Sequence, residues 1–288
     1  MAQVGLVGLG IMGSAYAKNL IAGGIAVAGV DPDLSARERL AELGGTAHET
    51  LGDWIAECDL VILSLLSPTI MQEVCTQLAD LLPPGTVVLE TGTFALADKG
   101  AAHDILAANG IHLLDCPVSG TGAQARDADI LMMASGDAEA IAHARPFMAH
   151  FTKGVIEAGA FGMGSRLKYV ANHAVALHNA AAAETLAYSD ALGLDRQTTY
   201  EMLSTGGGQS KMSDLRMPLM ITGDYEPPTA TLHMFQKDLS IIGDDLRRLG
   251  LTAPLFDVAD ALYSTASNTL PETHDTAAVF EVYRQDKQ

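Results

Sequence analysis

A chain of 288 residues, 48% of them hydrophobic, is long enough for one large or two ordinary domains and can fill a sizeable core. Its 17 Lys and Arg stand against 35 Asp and Glu, and the resulting net charge of −18 excludes nucleic-acid binding through a general basic surface, though not a local positive pocket for a small anion. Cys58, Cys75 and Cys116 are too few and too scattered for a disulfide framework or a CxxC metal site, so a reducing, cytoplasmic setting is expected.

The N-terminus is apolar but has no basic residue before Lys18, unlike the charged start of a signal peptide. Gln3 to Val7 reads as a short apolar strand. It runs into Gly8-Leu9-Gly10-Ile11-Met12-Gly13, a helix from about Met12 to Ala22, a second strand over Ile25–Val30, and then Asp31. Each part has a mechanical role in dinucleotide binding. Gly8 permits the tight turn, Gly10 lets the backbone approach a pyrophosphate, and Gly13 lets helix and strand pack closely, with the helix N-terminus facing the phosphates. Ile11 and Met12 complete that loop. Asp31, eighteen residues beyond Gly13, is placed to accept hydrogen bonds from the ribose hydroxyls. A carboxylate there repels a 2′-phosphate and favours NAD, while Arg37 or Arg39 folding back would leave NADP open.

The alternation continues with a helix over 34–43, a short helix over 48–57, a buried strand over 59–66 stopped by Ser67-Pro68, a helix over 69–82 and a strand over 86–90. A helix over 95–109, a strand over 111–115, a strand over 130–134 and a helix over 138–151 follow. Strands alternating with helices predict a mostly parallel, doubly wound Rossmann-type sheet, whose ligands lie at the carboxyl ends of its strands. Those ends carry Leu65 and Leu66, Thr91 to Thr93, and Cys116 to Gly122. Leu65, Leu66 and Thr93 are therefore candidate cofactor contacts. Ser119-Gly120-Thr121, a serine flanked by glycine after a strand, suits a carboxylate grip; its bland interpretation is a flexible loop.

From Gly162 strand-like runs vanish and an all-α domain is expected, giving a dinucleotide-binding domain over 1–161 and a helical substrate and dimerisation domain over 162–288. The two are joined by a long helix between Gly164 and Gly193, free of proline, rich in alanine and leucine, and about 40 Å long. Its faces are apolar or small nearly all round, so burial is expected, with Lys168, Asn172 and Asn179 on one stripe. Its longest uncharged run, Tyr169 to Ala183, has fifteen residues with two Asn and two His, too short and too polar to span a membrane. Helices over 196–204, 212–222, 233–249, 253–266 and 276–283 follow. Lys237-Asp238 reads in itself as a solvated charge pair. The nine histidines show no HxxxH or HExxH spacing, so no metal is expected.

Four separated motifs make the chain resemble the β-hydroxyacid dehydrogenase family, which includes 3-hydroxyisobutyrate dehydrogenase-type and tartronate semialdehyde reductase-type enzymes. They are Gly8-Leu-Gly-Ile-Met-Gly13 followed by Lys18-Asn19-Leu20, Asp115-Cys-Pro-Val-Ser-Gly120 with Gly122-Ala123, Gly164-x-x-x-Lys168-x-x-x-Asn172, and Lys237-Asp238-Leu239. The resemblance implies hydride transfer between NAD(H) and a small hydroxy acid, with Lys168 as general acid/base and Asn172 orienting the substrate. It implies that Ser119, Gly120 and Thr121 hold a substrate carboxylate, that Lys237 supports the cofactor side with Asp238, and that the protein is a homodimer or homotetramer. Departures stand at Thr121, where the family often has Gly; at Ala171, where it has Asn; at Glu90-Thr91-Gly92-Thr93, where it reads Asp-x-Ser-Thr; and in the glycine-rich Gly206–Gly208. All concern the substrate rather than the reaction class.

Alcohol oxidation needs the hydroxyl proton removed as hydride leaves. One lysine can take and return it where burial lowers its ordinary pKa of about 10.4 toward about 7–8. Two alternatives remain at this stage: an imine reductase-like enzyme, in which another residue usually occupies the lysine position, and a non-catalytic dinucleotide sensor.

Overall fold

The structure is a computed structural model that describes residues 2–285, so the last three residues of the expected second domain lie outside it. The chain divides into two compact units, Met1–Lys168 and Tyr169–Gln288. In the first, strands and helices alternate: β1 (Gln3–Val7), α1 (Ile11–Ala22), β2 (Ala26–Val30), α2 (Leu34–Glu42), β3 (Thr46–His48), β4 (Leu60–Leu63), α3 (Pro68–Leu81), β5 (Val87–Glu90), α4 (Leu96–Ala107), β6 (His112–Asp115), β7 (Val118–Ser119), α5 (Gly122–Arg126), β8 (Leu131–Ser135), α6 (Ala138–Phe151) and β9 (Gly154–Gly159).

The sheet order is β3-β2-β1-β4-β5-β6-β8-β7, with β9 beside β8. From β3 through β6 every pairing is parallel. Strand order reverses between β1 and β4, which puts the topological switch point where the glycine turn emerges. Successive residues of a strand point to opposite faces, and both faces are covered. Leu6, Ile62 and Leu89 pack with Tyr16 and Leu20 of α1 and Phe147 and Phe151 of α6. Val7, Val61, Leu63 and Val88 pack instead with Met71 and Leu78 of α3 and Leu106 of α4. Each fully buried Leu or Phe stabilises the fold by about 1.5–3 kcal/mol, so the double coat outweighs any single loop preference.

The structure corrects one local expectation and adds two details. Residues 48–57 are not a helix: Thr46–His48 is a strand beside β2, and Asp53–Glu57 a 3-10 turn with the His48 and Trp54 rings stacked at 4.2 Å. The sheet is mostly parallel, as expected, with two antiparallel pairings, β8 with β6 and β8 with β7, while β9 lies parallel to β8. β9, an edge strand, is not apparent in sequence because half of its residues are exposed and a glycine stands at each end.

A 29-residue helix, α7 (Met163–Ala191), begins in the first unit and runs on through the second. The unit border falls inside α7 because its first turn packs on the ends of β6 and β8. Gly164 comes so close that a Cβ there would lie 2.3 Å from the Met133 carbonyl oxygen. The second unit continues with α8 (Arg196–Thr205), α9 (Lys211–Thr222), α10 (Leu232–Leu249), α11 (Pro254–Thr269) and α12 (Val282–Gln285). Two pairings of buried polar side chains tie it together. Asn179 donates to the Tyr263 hydroxyl at 2.9 Å, and Arg216 forms an ion pair with Asp275 at 3.0 Å. The expectation that α7 is buried all round does not hold within one chain, since Val170 is 69% and Tyr188 66% exposed.

Candidate active site

The turn after β1 is built by exclusion. Gly8 has φ of 94°, and a Cβ on it would sit 2.2 Å from the Ser64 carbonyl oxygen; one on Gly13 would sit 2.0 Å from the Gly8 carbonyl oxygen. Only glycine lets β1, β4 and α1 approach this closely. Gly10 is different: a Cβ there meets nothing within 4 Å, and the residue is exposed. Gly10 caps α1 with no side-chain hydrogen bond, so no N-cap side chain takes up the first-turn N–H groups at the positive end of the helix. A glycine cradle with room beside it and unclaimed helix donors fits a dinucleotide pyrophosphate.

Asp31, at the end of β2, is held in place: Leu9 N–H donates to its Oδ2 at 2.7 Å and Asp33 N–H to its Oδ1 at 2.9 Å. A carboxylate has about four lone-pair sites, so capacity remains for ribose hydroxyls. Arg37 does fold back, donating from Nη1 to the backbone oxygens of Asp31 (2.7 Å) and Pro32 (2.9 Å), whereas Arg39 turns to the Ser35 hydroxyl at 3.0 Å.

At the end of β4, Leu65 packs on the core while Leu66 is 82% exposed. After β5, Thr91 donates from Oγ1 to the Leu63 carbonyl at 2.7 Å, which ties this loop to the neighbouring strand; Thr93 is half-buried beyond it. After β6, Ser119 pairs with Leu131 and Gly120 adopts φ of 147°. A Cβ on Gly122 would lie 2.4 Å from Ile11 Cγ2, so the Ser119–Gly122 loop rests against the glycine turn. Thr121 is partly committed. It caps α5, its Oγ1 accepting from Gln124 N–H at 3.3 Å and its own N–H donating to Gln124 Oε1 at 3.0 Å, which leaves the hydroxyl proton as its donor.

Two residues of the first motif acquire a purpose that sequence alone did not assign. Lys18 donates from Nζ to the Arg126 carbonyl at 3.0 Å and Asn19 from Nδ2 to the Ala125 carbonyl at 2.8 Å. They pin α5 to α1 and so fix the far end of the Ser119 loop.

Lys168 is half-buried, one turn beyond Ser165 on α7. The helix start is fastened: Gly164 N–H donates to Ser135 Oγ at 2.9 Å, and Ser165 donates to Asp115 from N–H and from Oγ, both at 2.7 Å. Asp115 ends β6, so Lys168 is carried from the strand-end edge that also bears the glycine turn. In the second unit, Asn172 donates from Nδ2 to Asp238 Oδ2 at 2.8 Å, and Lys237 Nζ lies 3.1 Å from Asp238 Oδ1. Asp238 is thus no mere solvated partner of Lys237; it connects α10 to α7.

A buried charge cluster went unrecognised in sequence. Glu90, Lys99 and Asp115 are all 0% exposed. Burial pushes the Glu90 carboxyl above its ordinary range against the pull of Lys99. Burial also works to lower the Lys99 ammonium, but Glu90 and Asp115 outweigh it and hold it above its usual value. Burial raises the neighbouring Cys116 thiol well above its own. Lys99 sits between Asp98 and Gly100, a setting that reads as solvated, and only the fold turns it inward.

Residues 3–160 match a sequence profile described as the NAD binding domain of 6-phosphogluconate dehydrogenase, and residues 162–283 match one described as NAD-binding of NADP-dependent 3-hydroxyisobutyrate dehydrogenase. The chain is 30% identical over 285 residues to an L-threonate dehydrogenase of Cupriavidus necator, covering 98% of this chain and 96% of that protein. Among solved structures, a 3-hydroxyisobutyrate dehydrogenase from Salmonella typhimurium superposes with a TM-score of 0.89 at 28% identity, covering 98% of this chain and all of that one. The Mycobacterium tuberculosis 3-hydroxyisobutyrate dehydrogenase with L-serine gives 0.91 at 26% identity, covering 99% of both chains.

Proposed function

The chain belongs to the β-hydroxyacid dehydrogenase family and is an NAD(P)-dependent oxidoreductase acting on the CH–OH of hydroxy acids; from that premise we propose which of its residues carry the reaction. Gly8, Gly10, Ile11, Met12 and Gly13 would hold the pyrophosphate and Asp31 the ribose, with Leu65, Leu66, Thr93 and Lys237 as further cofactor contacts. The nicotinamide, when bound, supplies or takes the hydride. Ser119, Gly120 and Thr121 hold the substrate carboxylate and fix which face of the reacting carbon is presented. Lys168 takes the hydroxyl proton during oxidation and returns it to the carbonyl oxygen during reduction. Asn172 orients the same oxygen, and Asp238 orients Asn172.

The observation that carries this assignment is the fastening of Gly164 and Ser165 to Ser135 and Asp115. It holds the α7 turn that bears Lys168 to the strand-end edge on which the Gly8–Gly13 turn and the Ser119 loop stand. A metabolic place in the reducing cytoplasm belongs to the same proposal, as does the domain border at 161/162.

NAD is proposed as the preferred cofactor, because Asp31 is aimed by two backbone donors and Arg37 is engaged on main-chain oxygens. Among substrates, a polyhydroxy acid of the threonate kind is the first choice, supported by the named relative and by the exposed, glycine-rich Gly206–Gly208 loop after α8. A panel of L-threonate, glycerate and 3-hydroxyisobutyrate with each cofactor tests both. The expected result is turnover on a hydroxy acid with NAD ahead of NADP. Asp31→Asn should move the ratio toward NADP by about tenfold, or ~1.4 kcal/mol. Turnover of a cyclic imine and of no hydroxy acid would overturn the assignment in favour of imine reduction.

A homodimer or homotetramer is proposed as the working state. The exposed Val170 and Tyr188 on α7, with Leu192 and Leu194 just beyond it, are consistent with a covered face. Light scattering of the purified protein should return a multiple of 30.2 kDa, and a monomer mass would remove the proposal.

A further inference from the structure

We propose that Lys99 is a positioning residue for hydride transfer, its buried ammonium clamping the loop after β5, the end of β6 and the start of α7 into one unit that sets where Lys168 stands. The geometry carries this. Lys99 Nζ lies 2.5 Å from Glu90 Oε2 and 2.7 Å from Asp115 Oδ1, and donates to the Gly92 carbonyl at 2.7 Å. Glu90 in turn accepts Gly92 N–H on Oε1 at 2.7 Å, so the ammonium and its carboxylate grip both sides of the Gly92 turn that leads to Thr93. On the other side Asp115 spreads the hold. Its Oδ1 takes Ser165 Oγ and its Oδ2 takes Ser165 N–H, each at 2.7 Å, while Ser135 Oγ reaches Oδ2 at 3.1 Å. Ser135 also receives Gly164 N–H.

Lys99, Glu90, Asp115 and Ser135 are 0% exposed and Ser165 is 1% exposed, so solvent does not screen these bonds and none can slide without leaving a buried donor or acceptor unmet. Hydrophobic residues of the same size would fill the space and pack the sheet. They would not fix the direction of the Asp115 carboxylate, which is what orients Ser165. Cα atoms on a helix rise about 1.5 Å per residue, so Lys168 follows Ser165 as a rigid extension, and an error in the first turn passes to it undiminished. Misplacement of a reacting group by about 1 Å costs turnover by on the order of a hundredfold while leaving ground-state binding nearly intact.

This inference rests on Lys168 as the proton-transfer group, and its test keeps the two apart. In the full-length protein, Lys99→Met and Ser165→Ala are compared with the parent by circular dichroism, by NADH titration, by kcat and KM on the best hydroxy acid, and by the acylation rate of Lys168 with a limiting amine-reactive reagent, read by mass spectrometry. Folded Lys99→Met should bind NADH within about threefold of the parent, lose kcat by about tenfold or more, and show an altered acylation rate at Lys168. Ser165→Ala keeps the Lys99 cluster and should show the same pattern at about threefold in kcat. Parental kcat together with parental Lys168 acylation in folded Lys99→Met overturns the inference. Where Lys99→Met does not fold, Ser165→Ala decides by the same criterion. Should Lys168→Ala retain turnover, the proton-transfer assignment falls, while the acylation rate at Lys168 still reports whether Lys99 positions it.

Discussion

Lys168→Ala is expected to lower kcat by about 10²–10⁴-fold, the range for loss of a positioned general acid/base, with NADH binding close to that of the parent. The asymmetry follows from the elements. The proposed cofactor cradle is made by the β1–α1 turn and Asp31, elements that precede Lys168 by more than a hundred residues and are shaped by their own backbone contacts. Truncating a half-buried side chain one turn beyond the fastened start of α7 leaves the bonds of Gly164 and Ser165 in place, so folding should survive. Steady-state kinetics beside a fluorescence titration of NADH separate the two effects. Parental turnover in the folded variant would sink the assignment of Lys168, and a large loss of NADH affinity would mean that the residue serves the cofactor instead.

The glycine turn yields a paired expectation of similar size. Gly13→Ala places a methyl 2.0 Å from the Gly8 carbonyl oxygen, a backbone atom that cannot swing aside. α1 must lift from β1, at a cost of about 1–3 kcal/mol or more in stability, and the pyrophosphate cradle deforms with it. Gly10→Ala meets nothing within 4 Å and has φ of −64°, outside the left-handed region that favours glycine. That variant should keep the parental unfolding midpoint and yet lose NADH affinity by about tenfold or more, because the methyl stands where the pyrophosphate must approach. Thermal denaturation and NADH titration of both variants check the pair. Parental NADH affinity in Gly10→Ala would show that the phosphates lie elsewhere.

Much of this was legible before any coordinates. The run from Gln3 to Asp31 contains a strand, a glycine-rich turn, a helix and a second strand, all local features, and the structure realises them as β1, α1 and β2 within a residue or so. The bounds of α6 at Ala138–Phe151 match the reading of the sequence because an N-cap Asp137 and the apolar spacing agree there. β7 and β9 were not legible: one is two residues long and the other lies at an edge, so neither carries a buried alternating pattern. The reversal of β8 was equally hidden, since strand direction depends on what the strand pairs with and not on its own composition.

The same division runs through the site. Composition, spacing and glycine placement determined that the chain binds a dinucleotide, that a loop with a serine beside glycine follows β6, and that one lysine stands on the motif-bearing turn of a long helix. Each of those features is encoded over a few neighbouring residues by steric demands that any fold must meet. Tertiary structure alone decided that Arg37 turns onto main-chain oxygens, that Lys18 and Asn19 pin α5, and that Asp238 reaches Asn172 across 66 positions of sequence. It alone turned Lys99 inward between Glu90 and Asp115, and joined Asp115 to Ser165 fifty positions later. Such contacts follow from burial and charge pairing between segments brought together by the sheet, and a sequence read locally holds no record of which distant partner will satisfy a buried charge.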